Sequence, residues 1–346
     1  MIKNKLSALA LCTLAALATQ QADAQKVTQK VNPGKGLYEL VYSEKANAVY
    51  VAGTGARGQA GAGKVYKLDP KTLAVKDSID VSSAPAFGLG LNETTQTLYT
   101  SNTRANSVHA IDLKSGKILA TIKHGKDKSH TRELVADEIN NKIYVSDVGG
   151  GIWVIDGKTN TFSHVIEKAG LSIAGLALDS KKGILYAIDM KSDKVVSYDI
   201  KKDVVIDSFA AGSKGAINLV LDAKTNRLFV SNQGNGDVTV LDAASGKLLQ
   251  TIATGKGALG ISFSPAKNWV YVANRGEGTV SIIDAATYKV ISTVTTGSLP
   301  NTVTVDKKGN AYVTNKAKSG PRPAPGETPA PQPEDENGDI VTLITL

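Results

Sequence analysis

Cysteine is nearly absent from this 346-residue chain, which has a single copy at Cys12, two tryptophans and four histidines. Without a second cysteine the chain cannot form an internal disulfide, and downstream of Cys12 it has no thiolate for a metal site or a nucleophile. Downstream of residue 24 no apolar run reaches the roughly 20 residues of a membrane-spanning helix. These absences leave a fold held together by packing alone.

The first 24 residues have the pattern of a secretory signal peptide. Lys3 and Lys5 precede an apolar run over residues 6–18, which leads to the small-residue sequence Ala22-Asp23-Ala24. This run is too short to span a bilayer, and the A-x-A ending is typical of a cleavage site. We therefore expect residues 1–24 to be removed in the periplasm, without membrane insertion, leaving residues 25–346 as one domain.

A repeat of about 42–45 residues extends over the rest of the chain. Seven short segments match one another in an aromatic, a β-branched or small residue, and usually a terminal Asn or Asp, and they begin at Tyr50, Tyr99, Tyr144, Tyr186, Phe229, Tyr271 and Tyr312. A second marker, an apolar residue or Tyr followed by Asp, occurs in phase with six of them. A period of this length with such regularity indicates stacked, identical structural units.

One unit, residues 257–296, predicts four short antiparallel strands separated by turns rich in Gly, Asn, Asp and Pro. Four strands per unit are typical of a propeller blade, so the fold predicted is an all-β, seven-bladed β-propeller. The last unit contains three strands, the third over residues 339–346. Because Val27–Val31 matches the fourth strand of other units, we expect this N-terminal strand to close the last blade and the ring.

These features resemble the YVTN-repeat seven-bladed β-propellers. The recurring Tyr271-Val-Ala-Asn274 type of segment carries the resemblance, and Gly34–Glu39 and Val280–Asp284 are similar to the periplasmic YncE-like members. The matching residues are strand and turn residues, so the resemblance is specific for fold and weak for chemistry. It implies an exported, binding-type propeller, with relatives discussed as nucleic-acid-binding.

The first strand of each unit predicts which residues line the central channel. Side chains alternate between the two sides of a strand, and the larger apolar positions must pack between blades. The small or polar positions are then left for the channel. They form two sets, Glu39, Gly88, Glu133, Gly175, Asn218, Gly260 and Thr302 and, two residues further on, Val41, Gly90, Val135, Ala177, Val220, Ser262 and Thr304. Two interpretations stay open: glycines that permit close approach and carboxylates paired with Arg or Lys, or a polar pocket for a ligand or cation.

A basic mouth is expected where the second-to-third-strand turns and the blade connections meet. The chain has a formal net charge of +8, which attracts polyanions. The candidate ligand-binding residues are Glu39, Arg104, His130, Arg132, Glu133, Asn218, Lys256 and Arg275. Candidates for stacking on bases are Tyr38, Phe87 and Trp153. Lysines also occur on the opposite face, so a role of the charge in solubility alone stays open.

Chemistry beyond binding has weak support in the sequence. His124, Asp127 and His130 share one loop and, with Glu133, have zinc-ligating groups, but no regular spacing fixes them, so a solvated loop is favoured and no metal or cofactor is expected. Residues 316–339 interrupt the last blade with a Pro-rich, acidic segment that predicts a mobile loop. It is either a tolerated insertion or a lid or docking peptide for the mouth.

Three classes of function remain open. The leading hypothesis is a non-enzymatic, monomeric periplasmic protein whose basic mouth binds an anionic ligand, with single-stranded DNA as the first candidate. The second is a lactonase-like hydrolase, because Glu39, Glu133, Arg132 and His130 together could form an acid–base site. The third is a protein-interaction module that uses the Pro-rich loop. A propeller fold does not decide among them.

Overall fold

Seven four-stranded antiparallel sheets form the blades of a propeller in the computed structural model, which describes residues 25–56, 61–125, 129–320 and 333–345. Two single-turn 3-10 helices, Thr103–Ala105 and Glu167–Ala169, are the only helices over these residues. The predicted signal peptide lies outside the described residues. The seven-bladed architecture expected from the repeat is confirmed.

The strands follow the repeat closely. The chain enters through β1 (Lys26–Val31). Blade 1 is formed by β2 (Leu37–Ser43), β3 (Ala48–Gly53), β4 (Lys64–Leu68) and β5 (Val75–Asp80). Blade 2 is formed by β6 (Gly88–Asn92), β7 (Thr97–Asn102), β8 (Ser107–Asp112) and β9 (Ile118–Ile122). Blade 3 is formed by β10 (Thr131–Asp137), β11 (Lys142–Asp147), β12 (Ile152–Asp156) and β13 (Thr161–Ile166).

The remaining blades have the same order. Blade 4 is formed by β14 (Ile173–Asp179), β15 (Ile184–Asp189), β16 (Lys194–Asp199) and β17 (Val204–Ala210). Blade 5 is formed by β18 (Ala216–Asp222), β19 (Arg227–Asn232), β20 (Asp237–Asp242) and β21 (Leu248–Ala253). Blade 6 is formed by β22 (Ala258–Ser264), β23 (Trp269–Asn274), β24 (Thr279–Asp284) and β25 (Lys289–Thr295). Blade 7 contains β26 (Pro300–Val305), β27 (Ala311–Asn315) and β28 (Ile340–Thr345).

Blade 7 is completed by the N-terminal strand. β1 pairs antiparallel with β28, with Val31 opposite Val341 and Lys26 opposite Thr345, so the sheet order is β1-β28-β27-β26. The first and last described strands thus share one sheet, and the ring has no open seam between its two ends. The predicted closure is confirmed.

The repeated aromatic position packs the blades against one another. All seven of its side chains are at most 2% exposed. The hydroxyl of Tyr271 donates to the carbonyl oxygen of Gly309 at 2.7 Å, and that of Tyr312 to Pro70 at 3.0 Å, so each reaches a turn of the next blade. The repeat therefore marks a structural position, because burial and inter-blade hydrogen bonding explain the aromatic residue there.

The repeated Asp and Asn residues fix the turns. Asp284 accepts hydrogen bonds from the backbone N–H groups of Ala286 and Thr287, an Asx-type turn that recurs at the same place in other blades. At the other end of the sheet, the side-chain amide of Asn274 donates to the hydroxyls of Thr279 and Ser281, which ties the second strand to the third. These residues are accounted for by folding alone.

Candidate functional site

A cavity of about 420 Å³ occupies the ring axis. Every blade contributes two adjacent residues from its innermost strand or the residue before it, and several blades contribute a third from the turn after the second strand. The cavity is therefore built by equivalent positions of all seven repeat units.

Of the two sets of residues that the strand alternation predicts for the channel, the second, from Val41 to Thr304, is not among the residues that line this cavity. All seven residues of the first set line it. They are Glu39, Gly88, Glu133, Gly175, Asn218, Gly260 and Thr302. The glycines permit close approach of neighbouring blades: a Cβ at Gly88 would clash with the backbone carbonyl of Arg132, and one at Gly260 with Asn301 and Thr302. The alternate apolar residues, such as Leu40 and Leu134, are buried between the blades as predicted.

The second residue that each blade contributes precedes the first. These residues are Tyr38, Phe87, Arg132, Ala174, Ile217, Leu259 and Asn301. In six of the seven innermost strands the pairing register shifts near the start of the strand, for example between Leu37 and Leu40. Such a β-bulge interrupts the alternation, so two consecutive side chains face the cavity. Period-2 alternation instead predicts residues two positions apart, such as Glu39 and Val41, on the channel side.

A third set of lining residues follows the repeated Tyr-Val-x-Asn-type segment by one position. Its members at the cavity are Val148, Met190, Gln233, Arg275 and Lys316. Arg275 and Lys316 thus occupy the same place in blades 6 and 7. The sequence places both among the basic residues of the mouth face, but only Arg275 was named as a candidate binding residue. The position immediately after the repeat motif is the signal that would have found it.

Three basic side chains reach the cavity without an anionic partner. Within the described part of the chain, no carboxylate oxygen lies within 4.0 Å of the side-chain nitrogens of Arg132, Arg275 or Lys316. Arg275 donates to the side-chain oxygen of Asn301 at 2.6 Å, and burial lowers its pKa. The Lys316 Nζ lies 2.8 Å from the centroid of the Tyr38 ring.

The charge state of Lys316 is unusual. Burial lowers its pKa to about 6, and the positive charges of Arg275, Arg132 and Arg104 lower it as well, whereas Asp339 has the opposite effect. The carboxylate of Asp339 is engaged elsewhere, because it accepts hydrogen bonds from the backbone N–H groups of Gly36 and Leu37. At neutral pH most Lys316 side chains are therefore uncharged amines.

Two carboxyl groups lie in the same cavity. Burial raises the pKa of Glu133 to about 7, and burial together with the nearby Glu133 raises the pKa of Glu39 well above its ordinary value. The backbone N–H of Leu89, 3.3 Å from the Glu39 carboxylate, and the charge of Arg132 reduce this shift only in part. Neither glutamate forms an ion pair within 4.0 Å among the described residues, so the interpretation in which these carboxylates pair with Arg or Lys is reduced to the charge of Arg132 acting on Glu39.

An aromatic edge adjoins the cations. The rings of Tyr38 and Phe87 meet edge to face with centroids 4.6 Å apart. Arg104 is exposed at the rim, and its guanidinium carbon lies 5.4 Å from the centroid of Phe87. His130 lines the cavity beside Arg132, and burial lowers its pKa. Tyr38, Phe87 and Arg104 are thus brought together as the sequence reasoning expects.

Two candidate residues lie apart from this cavity. Lys256 is exposed in the connection before β22 and borders a separate shallow depression. Trp153 is 1% exposed, and its indole N–H donates to Asp147 at 3.1 Å. A ring buried in this way cannot stack on a ligand, so the role of Trp153 is in the blade core.

The weak metal candidates do not form one cluster among the described residues. The Nε2 atom of His124 lies 2.9 Å from the hydroxyl of Ser129, and its ring packs edge to face against Trp153, whereas His130 faces the cavity. Asp127 lies outside the described residues. Over the residues that the structure describes, no group of three or more His, Cys, Asp or Glu side chains is arranged to hold a metal ion.

The residues that flank the Pro-rich segment are anchored to the ring. Asp335 accepts hydrogen bonds from the hydroxyl of Ser298 at 2.9 Å and from the backbone N–H of Lys318 at 2.9 Å. Residues 321–332 lie outside the described residues, so the predicted mobile loop over 316–339 stays a prediction. In the described ranges, no helix has the length and apolar character needed to cross a membrane.

Comparison with known proteins supports the resemblance to the YncE-like proteins. The chain is 37% identical over 238 residues to the uncharacterized protein YncE of Salmonella typhi, and 35% identical over 239 residues to that of Escherichia coli K12. The chain is homologous to YncE. Each match covers 64% of this chain and 65% of the relative, slightly under two thirds of the relative's own length. No protein-family model matches the sequence.

A chain of Kuenenia stuttgartiensis hydrazine synthase superimposes with a TM-score of 0.71 at 17% identity. The superposition covers 82% of this chain and 93% of that one. At this level of identity the likeness shows a shared fold only, so the activity named for that enzyme is no guide to this protein.

Proposed function

We propose that this protein is a non-enzymatic, exported binding protein that holds an anionic ligand in the cavity at the ring axis. The observation that carries this proposal is the convergence of the guanidinium groups of Arg132 and Arg275, beside the amine of Lys316, without a carboxylate partner among the described residues. Buried positive charge without a counterion is costly. A bound carboxylate or phosphate would supply the missing charge.

The size of the cavity supports a compact ligand or one group of a larger one. Its volume, about 420 Å³, falls in the usual range of small-molecule sites. A nucleotide of a single strand would satisfy the same features, with its phosphate at the cations and its base beside Tyr38 and Phe87. Single-stranded DNA therefore remains the leading polymeric candidate, and the exposed Arg104 would contact its backbone.

The test measures binding of a fluorescent single-stranded oligonucleotide, and its displacement by inorganic phosphate, over a series of salt concentrations. Replacing Arg132 and Arg275 by Gln should weaken binding at least tenfold, since loss of one charged contact costs on the order of 1.4 kcal/mol or more. Affinity should fall steeply with salt if the ligand is polyanionic.

Lys256→Gln is the matched control, because it removes one exposed positive charge from the mouth face outside the cavity. Affinity in this variant should stay within about threefold of the wild type. Equal affinity of the wild type and the double arginine variant, or an affinity that is independent of salt, would contradict the proposal. An equal loss in Lys256→Gln would show binding over the whole face and not in the cavity.

A hydrolase of the lactonase type is the second candidate, and the raised pKa values of Glu39 and Glu133 favour it. A carboxyl group that keeps its proton near pH 7 can act as a general acid, and Arg132 lies near enough to stabilise developing negative charge. Hydrolysis of simple lactones by the wild type and its loss in Glu133→Gln would support this function. Retained hydrolysis in that variant would refute the assignment of Glu133.

A further inference from the structure

The geometry points to Lys316 as a nucleophilic amine that forms an imine with a ligand carrying both a carbonyl group and a negative charge. The ligand class is that of the 2-oxo acids or of aldehydes that bear a phosphate. The inference rests on the proposed function for the placement of the anionic group, but the covalent step is a separate property of Lys316.

The position of Lys316 is fixed by the fold. It directly follows β27, and its backbone N–H donates to the carbonyl oxygen of Leu299 at 3.1 Å. The side chain extends into the cavity and holds its Nζ against the face of the Tyr38 ring. An amine held at a cavity wall by a rigid strand end is oriented before the ligand arrives, which favours reaction with a bound carbonyl.

The surroundings keep this amine unprotonated and unpaired. In the described part of the chain no carboxylate lies within ion-pair distance of its Nζ. The nearby charged groups are Arg275, Arg132 and Arg104, which oppose an ammonium, and Asp339, which favours one and is held by Gly36 and Leu37. A lysine beside another cation in a desolvated site is the environment that activates Schiff-base lysines.

The arginines beside Lys316 can bind the anionic group of the same ligand. Arg275 uses one of its N–H groups on Asn301, which leaves further N–H donors for a carboxylate or phosphate. An anion bound to Arg275 and Arg132 would place an adjacent carbonyl carbon beside Lys316. The two arginines thus select for charge, and the amine selects for the carbonyl.

The step balances without an added oxidant or reductant. The Nζ lone pair attacks the carbonyl carbon, the new C–N bond replaces the C–O π bond, and one N–H proton passes to the former carbonyl oxygen to give a carbinolamine. The nitrogen then loses its second proton as the carbinolamine oxygen departs as water. Amine plus carbonyl therefore gives imine plus water, and the reaction is reversible by hydrolysis.

Reductive trapping tests this inference on the full chain. The protein is incubated at pH 7 with pyruvate and cyanoborohydride, digested, and its lysine peptides are mapped by mass spectrometry. We expect Lys316 to be modified at least about tenfold faster than any exposed lysine, because exposed amines with pKa values of about 10.4 are almost fully protonated at this pH. Mapping the wild type needs no variant, so a folding defect cannot obscure the result.

Two variants and two further compounds sharpen the test. Lys316→Met should abolish the labelling, whereas Lys318→Met, which changes an exposed lysine two residues away, should leave it unchanged. Lactate has the charge without the carbonyl and should slow the labelling by competition. Acetone has the carbonyl without the charge and should label Lys316 at least tenfold more slowly than pyruvate.

The outcomes separate this inference from the proposed function. Labelling that is absent or spread evenly over exposed lysines, while phosphate or lactate still binds, would overturn the imine and leave anion binding intact. Lys316 could also be labelled selectively and equally by acetone and pyruvate, with no anion bound. That result would support a nucleophilic Lys316 amine and contradict the proposed anion binding.

Discussion

The second strands and the innermost strands of the blades differ in what the repeat preserves. On the second strands one aromatic position recurs in all seven blades, and every copy is buried. On the innermost strands the residues at the axis range from glycine to glutamate and arginine. Uniform residues are those whose environment is the same in every blade. The residues that vary are those that face the axial cavity, to which all seven blades contribute.

Removing the strand that closes the ring should have the largest effect on stability. Deleting residues 26–31 should lower the melting temperature by more than about 10 °C, because β28 would lose its partner and the seam would open. Replacing Lys26 and Lys30 by Ser is the control, since both side chains are exposed, and should change it by less than about 2 °C. An unchanged melting temperature in the deletion would contradict the closure.

The aromatic position should be costly to truncate. Tyr271→Ala should destabilise the fold by about 3–5 kcal/mol, as for other buried aromatic side chains. Tyr271→Phe keeps the ring and should cost only about 1 kcal/mol, for the lost hydrogen bond to Gly309. Denaturant unfolding measures both. Similar losses in the two variants would show that the hydroxyl and not packing dominates.

Replacing a buried carboxyl group of the cavity should stabilise the fold, in contrast to truncating the aromatic position. Glu133 has a pKa raised to about 7 from an ordinary 4.5, so the folded chain holds a proton between these values that the unfolded chain releases, and stability falls as pH rises through this window. Glu133→Gln should therefore raise the melting temperature at pH 8 by roughly 2–5 °C and have little effect at pH 4. The control variant Glu336→Gln replaces an exposed carboxylate and should leave the melting temperature unchanged at both pH values. Destabilisation by Glu133→Gln at pH 8 would contradict a raised pKa of Glu133.

Lys316 should show the reverse dependence on pH. Its pKa is lowered to about 6 from 10.5, so the unfolded chain holds a proton that the folded chain lacks, and stability rises as pH increases between these values. Lys316→Met should stabilise the protein at pH 7 by roughly 1–3 °C, and this gain should shrink towards pH 10. A gain that does not change with pH would indicate an effect of packing alone.

The sequence predicted the ring, its closure and the axial residues from Glu39 to Thr302, because these depend on periodicity and on the alternation of side chains along a strand. The same alternation also predicted a second set, from Val41 to Thr304, that does not line the cavity. It did not predict that Ile217 and Asn301 also face the cavity, since β-bulges leave no mark in a hydrophobic pattern. Trp153 was misplaced for a related reason: its neighbours on other strands decide that it is buried. The environment of Lys316 likewise depends on residues far apart in the chain.

An experimental structure of the protein with a small anion, such as pyruvate or phosphate, would decide whether the axial cavity binds anions. We expect the anion in the axial cavity, with its charged group in contact with Arg132 and Arg275 and next to Lys316. An empty cavity at saturating anion, or the anion bound only to exposed lysines such as Lys256, would contradict this expectation.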